Sequence, residues 1–140
     1  MKRLVILIAI FLFAGLAFGQ TLKKGAVVII DVNEFWLKPD VTMDQFLDFY
    51  MNKYIPEFEK NFPGLKVFIM YGDRGEHKYM IGGITYCESV EIRDKYWPPP
   101  TGESSELAKA AEAKLAPFAQ EFSKYILGSS DRKYTDWIIK

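Results

Sequence analysis

The chain has almost no cysteine. Cys87 is the only one in 140 residues, so an intrachain disulfide is impossible and stability must come from a packed core. Its simplest role is that of a small buried hydrophobe in a strand. Histidine is equally scarce. His77 stands alone beside the polar loop Gly72-Asp73-Arg74-Gly75-Glu76, which reads as an exposed hairpin position rather than a general base. No spacing of His, Cys, Asp and Glu supplies a metal set. No Gly-rich phosphate loop, nucleophile elbow or Ser/His/Asp set occurs either, so no catalytic residue is assigned. Charge of one sign is also missing. The 18 basic residues balance 18 acidic ones, and no Lys/Arg cluster marks a nucleic-acid footprint.

The one long apolar run lies at the start. Met1-Lys2-Arg3 is basic, Leu4 to Phe18 is apolar but for Gly15, and Ala17-Phe18-Gly19 ends it with small residues. That order is the signature of a secretory signal peptide, and fifteen apolar residues fall short of the roughly 20 a membrane span needs. The expected organisation is a signal peptide over 1–19, cleaved near Gly19-Gln20, and one domain over 20–140. Localisation is then secreted or periplasmic, with no stable membrane insertion after cleavage. Removing Lys2 and Arg3 from the balanced charge leaves a net charge of −2, close to neutral. A domain of this length buries about two thirds of its unfolded surface, enough for a core.

Gly25 to Leu37 reads as the first strand. Ala26-Val27-Val28-Ile29-Ile30 is continuously apolar, as expected where both faces are covered. Beyond it, Val27, Ile29 and Phe35 share a face with Asp31 and Asn33, and Val28, Ile30, Val32 and Trp36 share the other with Glu34. Thr42-Met43-Asp44-Gln45 is a capping box that opens a helix. Phe46, Leu47, Tyr50, Tyr54, Phe58 and Phe62 follow at helical spacing on one face. Pro56 predicts a kink or a second helix starting near Ile55, and Pro63-Gly64 ends the helix. Leu65 to Tyr71 and His77 to Cys87 are strands, with Gly82-Gly83 suggesting a bulge or a close backbone approach. Ser89 caps a short helix that stops at Pro98-Pro99-Pro100. Ser104 or Ser105 caps a long one over Glu106–Leu127, bent at Pro117 and closed by Gly128. Tyr134 to Lys140 is the last strand.

Strand, helix, strand, strand, small helix, long helix, strand is the split βαβ order of an α+β, ferredoxin-like domain. Its four-stranded antiparallel sheet carries two long helices on one face. The other face should meet water and alternate with polar residues. The apolar Val27, Ile29 and Phe35 instead point to a second face that is partly covered, as face-to-face dimerisation would achieve.

Three segments carry a family resemblance: Tyr54-Ile55-Pro56-Glu57-Phe58, Phe62-Pro63-Gly64-Leu65-Lys66-Val67, and Tyr86-Cys87-Glu88-Ser89-Val90-Glu91-Ile92-Arg93-Asp94-Lys95-Tyr96-Trp97. With them the chain resembles the dimeric α/β-barrel superfamily, which includes antibiotic-biosynthesis-monooxygenase-like, NIPSNAP-like and stress-responsive barrel proteins. The resemblance covers nearly all of Gly25 to Lys140. It implies a homodimer formed through the sheet face and a pocket between sheet and helices. Haem-degrading relatives hold their cofactor with a helical His. Neither long helix here has one, so no cofactor is expected.

The candidate ligand-binding residues are Asp31, Asn33, Tyr50, Tyr54, Tyr86 and Trp97. Asp31 and Asn33 could orient a ligand or take a proton, or could instead lie solvated at the strand end or across a dimer seam. The aromatics suit a planar or phenolic ligand, although helical stripes of this kind also build ordinary cores. Tyr96-Trp97 should sit on a loop at a pocket mouth or cover a sheet edge. Glu57 and Glu59, beside Pro56, should form a solvated face. Three readings follow. The leading one is a protein that binds a small, largely apolar molecule. The others are a cofactor-independent monooxygenase-like enzyme on a small aromatic substrate, and a structural or interaction protein with a filled barrel.

Overall fold

The computed structural model describes residues 22–130 and 133–140, so the signal peptide expected over 1–19 lies outside the described residues. In chain order the elements are β1 (Val27–Asn33), β2 (Phe35–Leu37), α1 (Met43–Phe49), a π-helical turn (Tyr50–Tyr54) and α2 (Ile55–Asn61). β3 (Leu65–Tyr71), β4 (Ile81–Cys87), α3 (Val90–Tyr96), α4 (Glu106–Phe122), β5 (Ile126–Ser129) and β6 (Lys133–Ile138) follow. Four strands form an antiparallel sheet in the order β3-β4-β1-β6. The two inner strands are thus the first of one strand–helix–strand unit and the first of the next, which is the ferredoxin-like arrangement. β2 and β5 make a separate two-stranded ribbon.

The long helical stretch starts and continues for identifiable reasons. The Thr42 amide donates to Gln45 Oε1 at 2.9 Å and the Gln45 amide to Thr42 Oγ1 at 3.2 Å, closing the capping box. Pro56 has no N–H to give to the carbonyl of Asn52. The chain answers with a π turn, in which the Ile55 amide reaches back five residues to Tyr50, and restarts at Ile55 with Pro56 in the first turn. The turn also keeps an aromatic stripe in register. Phe46, Tyr50, Tyr54, Phe58 and Phe62 recur every four residues, with successive ring centroids 5.8, 5.0, 6.3 and 4.5 Å apart. In a pure α-helix each four-residue step would over-rotate by about 40°. The wider π turn takes back part of that excess.

The core lies between this stripe and the sheet. Val27, Ile29, Leu65 and Cys87 of the strands meet Phe62, Tyr96, Ala108, Ala111 and Leu115. α4 gives this cluster its two buried alanines and Leu115. Phe62 anchors the cluster: it is 1% exposed, and its ring lies 5.0 Å from Tyr96 and 5.7 Å from Trp97. Tyr96, buried, donates its hydroxyl to the Pro63 carbonyl at 3.2 Å. Glu59 is not part of a freely solvated face. Its carboxylate accepts from the Val67 amide at 3.0 Å and pairs with Lys66, tying α2 to the edge strand β3.

Several expectations need correction. The first strand breaks at Glu34, whose backbone bonds both ways with Ser130 and starts the β2–β5 ribbon. α4 ends at Phe122 rather than Leu127. Gly128 does not close it but lies in β5 opposite Trp36, where a side chain would crowd the indole. β4 starts at Ile81 rather than His77, because Tyr79, at φ 72°, and Met80 turn back onto Gly72. His77 is exposed in that turn, as expected. Gly82 and Gly83 make no bulge, since pairing through them is regular on both sides. The faces of β1 are also reversed. Val27, Ile29 and Phe35 turn toward the helices, and Val28, Ile30 and Val32 turn to the open face. Both sets are apolar, so alternation alone could not tell them apart. On the open face, Ile30, Phe68, Met70 and Trp137 are each at least 37% exposed.

Two outcomes follow. Phe62→Ala removes a fully buried ring with little room for collapse, and should cost about 3–5 kcal/mol in urea unfolding; a loss below about 1 kcal/mol would contradict this core. Cys87 is fully buried, and burial first, with Asp136 adding to it and Arg93 opposing, pushes its thiol up to about 11. The unfolded thiol ionises near about 8.5, so above that pH the unfolded chain loses a proton that the folded chain keeps. The stability advantage of wild type over Cys87→Ala should therefore be full below about pH 8.5 and shrink toward about pH 11. A gap that widens with pH would contradict the burial.

Candidate functional site

A cavity of about 540 Å³ lies between the helix-facing side of the sheet and the aromatic stripe. That is within the size range of small-molecule sites. Its floor is set by strand alternation. β1 supplies Ile29, Asp31 and Asn33, β3 supplies Val67 and Ile69, β4 supplies Ile81, Gly83 and Thr85, and β6 supplies Tyr134 and Asp136. Its roof is Phe46, Tyr50, Tyr54 and Phe58. Phe35 from β2 also lines it, its ring 5.3 Å from that of Phe46. Trp97, Pro99, Pro100 and Gly102 border the end where α3 runs into the proline loop, together with Arg93 and Asp94.

Charged side chains enter the lining in two places. The first is on the floor. Asn33 donates its side-chain amide to Asp31 Oδ2 at 3.1 Å. Asp31 pairs across β4 with Gly83, and a Cβ at that glycine would meet Asp31 Oδ1 at 2.7 Å. Glycine at 83 therefore leaves the space in which the carboxylate lies. What comes close at Gly83 is a side chain rather than the backbone expected there, and the contact positions a cavity residue.

The second group is an ion network at the side. The Arg93 guanidinium binds Asp94 Oδ1 from Nη2 at 2.8 Å and from Nε at 2.9 Å, and Asp136 Oδ2 from Nη1 at 3.2 Å. Its side chain is 19% exposed, so screening is weaker than for a surface pair. Burial works against the charged form of Arg93, but Asp94 and Asp136 outweigh it and raise its pKa. The pair joins α3 to β6. Among the described residues, no group of three or more His, Cys, Asp and Glu is placed to hold a metal ion.

Five of the six candidate residues meet in this cavity: Asp31, Asn33, Tyr50, Tyr54 and Trp97. Tyr86 does not. It alternates with Thr85, so it faces the other side of the sheet, where it pairs with Val28 and Lys66. Asp31 and Asn33 accordingly face the helices and not a seam on the open side of the sheet. Phe46 and Phe58 belong to the stripe already visible in the sequence. Arg93, Tyr134 and Asp136 were missed. The alternation Tyr134, Asp136 on the last strand was the available signal for two of them. Arg93 had none, because its partner on the sheet, Asp136, is distant in sequence.

No protein-family model matches the chain, and no curated protein does. Solved structures do. A NIPSNAP family protein of unknown function from Agrobacterium tumefaciens superposes with a TM-score of 0.50 at 13% identity, covering 80% of this chain and 89% of that one. A cofactor-independent oxygenase from Streptomyces nogalater gives 0.46 at 11% identity, over 83% and 94% of the two chains. A dimeric ferredoxin-like protein of unknown function from Bacteroides fragilis gives 0.42 at 16% identity, over 83% and 98%. Likeness at such identities speaks to fold alone, and with the strand order above the Agrobacterium structure makes this chain a ferredoxin-like α+β domain.

Proposed function

We propose that this chain is a secreted or periplasmic, homodimeric protein that binds a small, largely apolar molecule between its sheet and its aromatic stripe. The observation that carries the reading is the cavity of about 540 Å³, walled by aromatics and provided with one hydrogen-bonded carboxylate–amide pair on its floor. A cavity with apolar walls and a few convergent polar groups is what a ligand site requires. Self-association is supported by the open sheet face, where Ile30, Phe68, Met70 and Trp137 leave apolar surface that a second copy would cover. Export is supported by the basic start, apolar run and small-residue exit over 1–19.

A second reading draws on Asp31. A carboxylate oriented by Asn33 inside an aromatic cavity can accept a proton from a phenolic substrate, as a cofactor-independent monooxygenase-like enzyme would require. Oxygen uptake with a quinol that disappears in Asp31→Asn would favour it over simple binding.

The binding reading is tested with the fluorescent apolar amine N-phenyl-1-naphthylamine. Wild type should bind it saturably. Asp31→Ala and Asn33→Ala should each weaken binding by about tenfold, as loss of a hydrogen bond to a charged group does. Gly83→Ala should weaken it in the same direction at nearly unchanged thermal stability, because its methyl displaces only the end of the Asp31 side chain. Absence of saturable binding, or equal affinity in all four proteins, would sink the placement.

A further inference from the structure

We infer that a ligand enters the cavity between the α3–α4 loop and the edge strand β6, and that the Arg93–Asp136 ion pair bars this gap. The inference rests on the small-molecule reading above and adds the route by which that site fills.

Exposure of the lining locates the mouth. The residues that the aromatic stripe and the strands β1, β3 and β4 give to the cavity are all buried or half-buried. The exposed ones are Pro99, Pro100 and Gly102 of the loop, and Tyr134 and Asp136 of β6. A cavity meets solvent where its lining does, so these two segments frame the entrance. Both are firm. Pro98-Pro99-Pro100 stiffens the loop, and β6 is paired along its length with β1. The other edge of the sheet is closed. There Glu59 accepts from the Val67 backbone amide at 3.0 Å and pairs with Lys66, and the lining residues Val67 and Ile69 are half-buried.

Arg93 spans the gap. It leaves α3 just before the loop and donates from Nη1 to Asp136 Oδ2 on β6 at 3.2 Å. Its contacts with Asp94 are shorter, 2.8 Å from Nη2 and 2.9 Å from Nε. Asp94 is its neighbour in the same helix, so Arg93 can let go of Asp136 and keep its charge answered. The helix need not move. Tyr96 is buried, and its hydroxyl ties α3 to the Pro63 carbonyl. Opening is therefore a side-chain rotation that breaks one partly exposed ion pair, an interaction of modest strength in water. The pair is intact before and after entry and broken during passage, so it slows association and dissociation alike.

The test is stopped-flow fluorescence of residues 20–140 with N-phenyl-1-naphthylamine. The probe is uncharged at neutral pH, so salt acts on the ion pair and not on the ligand's approach. In wild type both rates should rise about two- to fivefold as salt goes from about 0.05 to about 0.5 M. Asp136→Asn, which is nearly isosteric, should show the faster rates already at low salt, with little further salt dependence. Its Kd should stay within about twofold of wild type, since both rates change together. Glu59→Gln, at the other edge, should keep wild-type rates. Salt-independent exchange in wild type overturns the gate and leaves the small-molecule reading standing. A change confined to the dissociation rate of Asp136→Asn also overturns it, and makes Asp136 a ligand contact. Faster exchange in Glu59→Gln than in Asp136→Asn overturns the route and moves the entrance to β3. Absence of saturable binding by wild type overturns the small-molecule reading and the inference with it. The salt series uses no substitution, so poor folding of a variant leaves it decisive.

Discussion

The four-residue spacing of Phe46, Tyr50, Tyr54, Phe58 and Phe62 constrains everything above the sheet. Rings at that spacing drift around a regular helix, and here the π turn at Tyr50–Tyr54 draws them back toward one line. Pro56 makes the irregular turn less costly, because the hydrogen bond it would disrupt cannot form anyway. At its lower end the stripe runs into the packed core through Phe62, Tyr96 and Trp97. Higher up, the rings of Tyr50, Tyr54 and Phe58 line the cavity. One stripe therefore supplies both the stability of the domain and the roof of its cavity.

The floor obeys the two-residue alternation of strands. On the helix side, small or polar residues (Gly83, Thr85, Asp31 and Asn33) stand where a filled core would place Leu or Ile. On the open side, Ile30, Phe68, Met70 and Trp137 are apolar where a solvated sheet would be polar. The helix side of the sheet is thus apolar in the core and interrupted by polar residues under the cavity, while the outer side carries apolar residues. A ligand inside and a second copy outside would account for both departures together.

Much of this was legible before any coordinates. The capping box, the restart near Ile55, the strand Leu65–Tyr71 and the caps at Ser89 and Ser105 depend on local chemistry, and they lie where that chemistry puts them. The β2–β5 ribbon was not legible, because pairing Phe35–Leu37 with Ile126–Ser129 is a long-range choice that neither segment announces. The side of β1 that faces the helices was hidden for a different reason: both of its faces are apolar. Asp31 and Asn33 share a strand face, as alternation predicts, and lie together in the cavity. Tyr86 was drawn in by its residue type alone, and one step of alternation removes it from the cavity. Arg93 and Asp136 come from segments 43 residues apart, and only the tertiary fold brings them together.

The most direct measurement is native mass spectrometry of residues 20–140, purified without organic solvent from the cells that make the protein. The account predicts a dimer carrying the added mass of a small molecule, which collisional activation releases. A monomer at the mass of the bare chain would contradict it, because neither the empty space under the stripe nor the apolar outer face of the sheet would then have an occupant.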